Sequence, residues 1–305
     1  MDQLPHLVTH LYSAIPSLRL PSPLIPFTPN WDGATRVEML VKRDDAIHPI
    51  ISGNKWRKLK YALRNLPLCT QSIVSFGGGH SNHLHALGFV CRQLSTPFHA
   101  IVRGNYLGNE TPMLKDLALW GSHIHYVDKK TYQQRHSKDY LAQLARTYPK
   151  SVIIPEGGSQ ADALKGIGEM VEEVAVPFDR IMVPVASGAT LAGIALALDS
   201  TKQALGIAVL KGEGYLESLV TQFIPSSLNH WQIDHRFHCG GYAKQSAALA
   251  TFCDAFNQQM PFCIEPVYSG KVFFALKQLL AAKAFHEGER IVIVHTGGLQ
   301  GARRA

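Results

Sequence analysis

Ile51-Ser52-Gly53-Asn54-Lys55-Trp56-Arg57-Lys58-Leu59 opens a segment with helical spacing, because Trp56, Leu59, Leu63 and Leu66 fall on one face. A helix that starts at Asn54 presents unpaired backbone N–H groups and a positive dipole end in its first turn. Lys55 stands in that turn, where the dipole disfavours a charged amine, and Arg57 and Lys58 add like charge beside it. Like charge and partial burial together lower a lysine pKa and leave a free amine able to attack a carbonyl. That is the requirement for a Schiff-base lysine. The same residues would also serve as the basic, solvated start of an ordinary helix.

Upstream, Val37 to Val41 reads as a strand closed by the charged run Lys42-Arg43-Asp44-Asp45. The first thirty residues carry Pro5, Pro16, Pro21, Pro23, Pro26 and Pro29, a density that predicts extended chain and turns rather than a long helix. Downstream, apolar strand-like runs appear at Ser72–Phe76, His99–Val102, His123–Val127, Val152–Ile154, Arg180–Val185, Gly206–Leu210 and Ile291–Val294. Helical stretches lie between them: Asn82–Leu94, Tyr132–Thr147, Ala161–Val174, Leu191–Leu198, Lys244–Phe256 and Val272–Phe285. Alternation of this kind predicts an α/β fold of mostly parallel sheets covered on both faces, α/β/α in layers. The four strands between Ser72 and Ile154 suggest a smaller inserted lobe. Taken over whole elements, residues 56–160 form the smaller unit and residues 1–55 with 161–305 the larger.

The chain has 305 residues, 46% of them hydrophobic and 17% charged, which suits a soluble globular protein with a sizeable core. A net charge of +7 without an aromatic-interleaved basic stripe points to a small anionic ligand rather than nucleic acid. The basic residues are scattered apart from Lys55 to Lys60 and the pair Arg303-Arg304. Cys69, Cys91, Cys239, Cys253 and Cys263 form no C-x-x-C pair, so the reading is reduced thiols in a cytoplasmic enzyme rather than a disulfide framework or zinc site. No signal peptide is expected, and no apolar run is long enough to span a bilayer.

Glycine clusters close several strands, where ligands bind in open α/β sheets. Gly77-Gly78-Gly79-His80-Ser81-Asn82-His83 follows the Ser72–Phe76 run and offers a hydroxyl and an amide at a helix start, where the same side chains could simply cap the helix. His80, His83 and His85 straddle a loop and a helix with no nearby carboxylate in sequence, so no metal site is expected. Ala186-Ser187-Gly188-Ala189-Thr190 joins an apolar strand to an apolar helix, an arrangement that suits a phosphate. It is neither a Walker motif nor a dinucleotide fingerprint, which disfavours a nucleotide-binding oxidoreductase. Two more clusters, Glu156-Gly157-Gly158-Ser159 and His295-Thr296-Gly297-Gly298, end further strands. A reactive lysine with a phosphate cup points to a phosphorylated carbonyl cofactor, and pyridoxal 5'-phosphate fits.

With these residues assembled, the sequence resembles the 1-aminocyclopropane-1-carboxylate (ACC) deaminase and D-cysteine desulfhydrase family. Ser52-Gly53-Asn54-Lys55-x-Arg57-Lys58-Leu59 and Gly77-Gly78-x-x-Ser81-Asn82-His83 are similar to its two signature stretches. Pro155-x-Gly157-Gly158-Ser159, Ser187-Gly188-Ala189-Thr190, Glu265-Pro266-Val267-Tyr268-Ser269-Gly270-Lys271 and His295-Thr296-Gly297-Gly298 match in order. The resemblance runs from about Val37 to Gly298. It implies a two-lobed fold-type-II pyridoxal phosphate enzyme of the tryptophan synthase β-like group, a cytoplasmic homodimer acting on a small amino acid.

By that resemblance Lys55 binds the cofactor aldehyde, Asn82 contacts the ring hydroxyl, and Ser187, Gly188, Ala189 and Thr190 hold the phosphate with help from Lys58. Thr296 joins the cofactor contacts. Ser81, Asn82, His83, Tyr268 and Ser269 face the substrate, and Ser81, Tyr242 and Tyr268 act beside Lys55. The alternative of a non-catalytic cofactor carrier is disfavoured by those three hydroxyls.

The chain departs from the family pattern around Gly240-Gly241-Tyr242-Ala243, in the bulk of Trp56, and in stopping seven residues after Gly298. ACC deaminases typically carry an acidic residue after the Val-Tyr pair and a leucine in the His-x-Gly-Gly motif, whereas D-cysteine desulfhydrases carry hydroxyl residues. Ser269 and Thr296 therefore favour β-elimination from D-cysteine or a similar β-substituted D-amino acid over ACC deamination.

Overall fold

A computed structural model describes residues 11, 13–15 and 17–303. Pro5, Pro16 and Arg304 lie outside the described residues. Ten strands are present among them: β1 (Leu24–Pro26), β2 (Glu38–Lys42), β3 (Ser72–Gly78), β4 (Phe98–Arg103), β5 (His123–Val127), β6 (Ser151–Ile154), β7 (Arg180–Val185), β8 (Gln203–Ala208), β9 (Trp231–Asp234) and β10 (Arg290–Val294). The helices are α1 (Asn54–Arg64), α2 (Asn82–Gln93), α3 (Pro112–Leu119), α4 (Lys129–Gln133), α5 (Lys138–Thr147), α6 (Ala161–Glu172), α7 (Ala189–Ala197), α8 (Tyr215–Thr221), α9 (Ala247–Gln259) and α10 (Ser269–Ala281).

The strands make two sheets. One has six strands in the order β1-β2-β10-β7-β8-β9, and the other has four in the order β5-β4-β3-β6. Every pairing is parallel except β1 with β2. Parallel strands need crossovers that cover both faces, and the burial follows that rule. Ile73, Trp56, Leu59, Leu63 and Leu66 share one core beside the four-stranded sheet, while Val74, Phe76, Ile101 and Tyr140 pack on its other face. Met182, Ile291 and Ile293 point into a phenylalanine-rich core of the six-stranded sheet, and Ile181, Val183 and Val292 point into the opposite one. Each such fully buried aliphatic or aromatic side chain contributes about 1.5–3 kcal/mol relative to exposure. The mixed α/β architecture with mostly parallel sheets is the one expected from the sequence.

Four local expectations need correction. The single helix Tyr132–Thr147 is two, because Ser137 caps a fresh helix start with its hydroxyl on the Tyr140 N–H. The strand placed at Gly206–Leu210 runs over Gln203–Ala208, in full register with β7. The helix placed at Lys244–Phe256 begins at Ala247, where Ser246 supplies the cap. The helix placed at Val272–Phe285 begins at Ser269, so that the Ser269-Gly270-Lys271 sequence lies inside its first turn.

Charge placement differs most. Within the charged run Lys42-Arg43-Asp44-Asp45, Lys42 is the last residue of β2, and both it and Asp44 are completely buried. Lys42 Nζ lies 2.6 Å from Glu173 Oε2, and Arg57 bridges Asp44 (3.0 Å) and Glu173 (2.6 Å). The Ser22 hydroxyl donates to Asp44 at 2.6 Å and completes a network that ties the β1–β2 region, α1 and the segment after α6 together. A buried ion pair is tolerated only when its hydrogen bonds are filled, and here they are.

Candidate active site

The glycine clusters gather where the parallel strands end: Gly77 to Gly79 over the last two residues of β3 and the next, Glu156 to Ser159 after β6, Ala186 to Thr190 after β7, and His295 to Gly298 after β10. The start of α1 is set against the last of these. Gly53 has a φ of +68°, and a Cβ there would lie 1.7 Å from the carbonyl oxygen of Thr296. Only glycine permits that approach. The Asn54 N–H then bonds the same carbonyl at 3.2 Å, and its side chain donates to the Thr190 hydroxyl at 3.1 Å.

Lys55 therefore leaves the helix start at a fixed point. Its Nζ bonds Asn54 Oδ1 at 2.5 Å. Burial brings its pKa down to about 8, opposed only by the field of Glu265. Arg57 is not the crowding charge the sequence suggested, since it turns away into the Asp44–Glu173 network. The cation that does crowd the site is Lys58. It is buried without a carboxylate hydrogen-bond partner among the described residues, and burial together with Lys55 holds its pKa well below the usual lysine range.

Lys58 Nζ donates to Ser187 Oγ at 3.2 Å, and the Ser159 hydroxyl donates to the same oxygen at 2.6 Å. Ser187 thus accepts twice within the protein and Thr190 once, which leaves each hydroxyl hydrogen unspent for an acceptor from outside. Gly188, at a φ of +77°, opens α7 without a side-chain cap, and of the first-turn N–H groups that of Ala189 bonds the Ser187 carbonyl at 2.9 Å. The four predicted cup residues, Ser187, Gly188, Ala189 and Thr190, stand together at this turn.

His83 carries the sharpest electrostatic signature. Ser75 gives its only hydrogen to the carbonyl of Ile154 at 2.7 Å, so it must accept from His83 Nε2 at 2.7 Å. The Nδ1 atom is then a bare acceptor, and it is buried without a partner. Burial, with Lys55 and Lys58 nearby, pushes the His83 pKa down to about 3, so the ring stays neutral. A Cβ on Gly158 would come within 3.6 Å of that Nδ1 and 3.3 Å of Lys58 Cβ, which places the Gly157-Gly158 turn against both residues.

Ser81 caps α2 by accepting from the Leu84 N–H at 3.2 Å, and the Asn82 amide oxygen accepts from Gln300 at 2.5 Å. Two of the three histidines of the motif part company: His83 turns to Ser75, while His85 pairs with Asp116 at 2.8 Å. Thr296 is buried at the foot of Gly53, and Ser269 is buried in the first turn of α10.

Two residues of this region carried no role in the sequence reading, although both lie in the Glu265–Lys271 motif. Glu265 is buried, and its oxygens accept from the N–H groups of Val267 (2.7 Å), Tyr268 (2.9 Å) and Ser269 (2.8 Å) and from the Ser269 hydroxyl (3.1 Å). It shapes the turn that presents Tyr268. Lys271 lies one helical step further on, buried. The hydroxyls of Tyr268 and Tyr242 meet at 2.8 Å, and burial raises both phenol pKa values, so each is protonated at neutral pH.

The sequence profile of the family described as pyridoxal-phosphate dependent enzyme matches residues 17–297. A mitochondrial protein of Arabidopsis thaliana, named a bifunctional D-cysteine desulfhydrase/1-aminocyclopropane-1-carboxylate deaminase, is 28% identical over 92% of this chain and 77% of its own. A D-cysteine desulfhydrase of Serratia proteamaculans is 25% identical, covering 86% of each chain. Among solved structures, one described as an ACC deaminase homologue superposes with a TM-score of 0.79 at 25% identity, over 96% of both chains.

Proposed function

This chain belongs to the pyridoxal-phosphate dependent enzymes, in the group of ACC deaminases and D-cysteine desulfhydrases, and we propose that it eliminates the β-substituent of D-cysteine or a similar β-substituted D-amino acid. For D-cysteine the products are pyruvate, ammonia and sulfide, with one water consumed.

The residues fit the cofactor. Lys58 is a buried amine with no carboxylate partner among the described residues, and Ser187 and Thr190 keep unspent hydrogens beside an uncapped helix start. An anion held there would restore the charge of Lys58 and satisfy these donors. We assign Ser187, Gly188, Ala189 and Thr190, with Lys58, to the phosphate, Asn82 and Thr296 to the ring, and Lys55 to the aldehyde. Bound pyridoxal phosphate supplies an electron sink for the charge that develops at the substrate α-carbon.

The chain's own groups do the rest. A pKa near 8 makes the Lys55 amine a base matched to neutral pH, suited to take the α-proton. The neutral His83 ring offers an acceptor that does not titrate in the working range. Ser81 presents a hydroxyl whose oxygen already serves the α2 cap and whose hydrogen can meet a carboxylate. Tyr242 and Tyr268, both protonated, share one hydrogen bond, which leaves one of their two hydroxyl hydrogens to meet a departing thiolate. The same reading takes residues 56–160 as the smaller lobe and the assembly as a homodimer.

The observation that carries the choice of substrate is the pair Ser269 and Thr296. The Ser269 hydroxyl gives its hydrogen to Glu265, and that carboxylate is in turn filled by three N–H groups. No free carboxylate therefore stands at the position after Tyr268. ACC has no α-proton and must open a carbon–carbon bond, which calls for a stronger sink than loss of a thiolate does. Pyruvate formed from D-cysteine and 2-oxobutanoate formed from ACC, measured side by side, test the assignment. We expect kcat/KM for D-cysteine to exceed that for ACC by at least about tenfold. The reverse order would overturn it.

A further inference from the structure

The inference concerns Lys271, and it rests on the reading above that Tyr242 and Tyr268 face the substrate. Lys271 is completely buried in the first turn of α10, three residues after Tyr268. Among the described residues it forms no ion pair with a carboxylate. Its Nζ instead donates to two backbone carbonyls, those of Val209 and Gly241, each at 2.8 Å. A buried ammonium with only carbonyl partners is costly, and an apolar side chain of similar length would pack in its place at less cost.

What the ammonium holds is unusual backbone. Cys239, Gly240, Gly241 and Ala243 have φ values of 50°, 94°, 118° and 54°, so four of five consecutive residues are left-handed. Two of the four are not glycine, and such residues resist that conformation. Internal support is local: the Gly241 N–H bonds the His238 carbonyl at 3.0 Å, the Gly240 N–H bonds His238 Nδ1 at 3.1 Å, the Lys244 N–H bonds the Gly241 carbonyl at 3.1 Å, and the Cys239 thiol lies 3.3 Å from the Phe237 carbonyl. Tyr242 sits inside this turn with half its surface exposed, yet its hydroxyl lies 2.8 Å from that of Tyr268. Val209 directly follows β8 and bonds Val185, the last residue of β7, at 3.1 Å. Lys271 therefore joins the sheet, the strained turn and the helix that carries Tyr268.

We propose that Lys271 is a positioning residue that pins the Cys239–Ala243 turn to the sheet end, so that Tyr242 meets Tyr268 over the substrate. Lys271→Met removes both hydrogen bonds at nearly constant volume. In the substrate-free protein, hydrogen exchange at the Gly241 and Lys244 amides should accelerate by about tenfold or more, because these amides open without global unfolding. With substrate, kcat should fall by about 10- to 100-fold, the usual cost of a misplaced group, while cofactor affinity from absorbance titration changes less than about twofold. In a Tyr242→Phe background, the same substitution should lower kcat by less than about threefold, because both changes remove one contact.

Unchanged exchange at Gly241 and Lys244 would overturn the proposal, and so would kcat losses that multiply. Lys271→Gln keeps one donor and should show the same direction with a smaller change, which serves if the Met variant does not fold. The exchange measurement needs no substrate. A chain that fails to act on D-cysteine but shows faster exchange in the variant would defeat the substrate assignment and leave the latch standing.

Discussion

The two sides of α1 carry the same kind of side chain to opposite ends. On one side Arg57 enters a buried network with Lys42, Asp44, Glu173 and Ser22, where every charge has a partner. On the other side Lys55 and Lys58 enter a glycine-lined space beside a neutral His83, with hydroxyls and an amide for partners. Burial acts on both sets. In the network, hydrogen bonds and ion pairs with Glu173 and Asp44 overcome it and hold the guanidinium charged. In the site nothing does, and both lysine pKa values fall. The first side fixes the helix, and the second holds amines that are poorly stabilised until a ligand arrives. The reactive role proposed for Lys55 needs a rigid helix start, and here the rigidity is supplied one residue pair away.

Breaking the reactive side should have the largest effect. Lys55→Ala is expected to lower turnover by at least about 10³-fold, since it removes the proposed base and the covalent anchor together. Its thermal midpoint should barely move, because Lys55 is outside the ion network. Borohydride treatment of the native protein with pyridoxal phosphate, followed by peptide mapping, should place the label on Lys55, and a label on Lys58 would reassign the nucleophile.

Breaking the compensated side should do the converse. Arg57→Met leaves the buried Asp44 without its ion-pair partner and Glu173 with Lys42 alone, and should destabilise the fold by about 3–5 kcal/mol in denaturant titration. The network also sets an acid limit. Burial opposes ionisation of Glu173, but hydrogen bonds from Arg57 and Lys42 outweigh it and hold the pKa at about 2 instead of 4.5. A depressed carboxyl pKa gives stability that is complete above pH 4.5 and lost as pH falls toward 2, in this case about 3 kcal/mol. In the Arg57→Met variant that acid-dependent loss should shrink. An unchanged acid profile would mean that Lys42 alone sustains the Glu173 charge.

The smallest expected effect sharpens the contrast without touching either charge. Ser187→Ala combined with Thr190→Ala deletes two neutral groups beside Lys58. Each charge-assisted hydrogen bond contributes about 1.5–3 kcal/mol, so cofactor affinity should fall by at least about tenfold with the fold intact. Equal affinity in spectrophotometric titration would place the phosphate elsewhere.

The reactive half of this comparison was legible in sequence and the compensated half was not. Gly53, Asn54, Lys55 and Lys58 lie within six residues, and the cup runs in one piece from Ser187 to Thr190, so local spacing and helix-start chemistry find them. The partner of Arg57 is 116 residues away, and no periodicity connects Arg57 to Glu173. The sequence therefore read Arg57 as a neighbour of Lys55 in charge as well as in order. The role of Lys271 was hidden for the same reason: its acceptors are backbone carbonyls 62 and 30 positions away, invisible to any reading of side chains. The helix break at Ser137 and the strand at Gln203–Ala208 were misplaced because apolar periodicity continued past the boundary that capping and strand register impose.

The close contact between Gly53 and the Thr296 carbonyl bears on when the site comes into being. β10, which delivers Thr296, is nearly the last element of the chain, yet it lies between β2 and β7 in the middle of the six-stranded sheet. A polypeptide leaving the ribosome exposes Lys55 long before that central strand has been made. During that interval Gly53 and Asn54 lack the strand end that fixes them in the folded protein. Domains fold as units as synthesis proceeds, and long-range strand pairing comes late. The strand end that fixes Gly53 and Asn54 is therefore the last part of this site to be placed, as β10 joins the middle of the sheet.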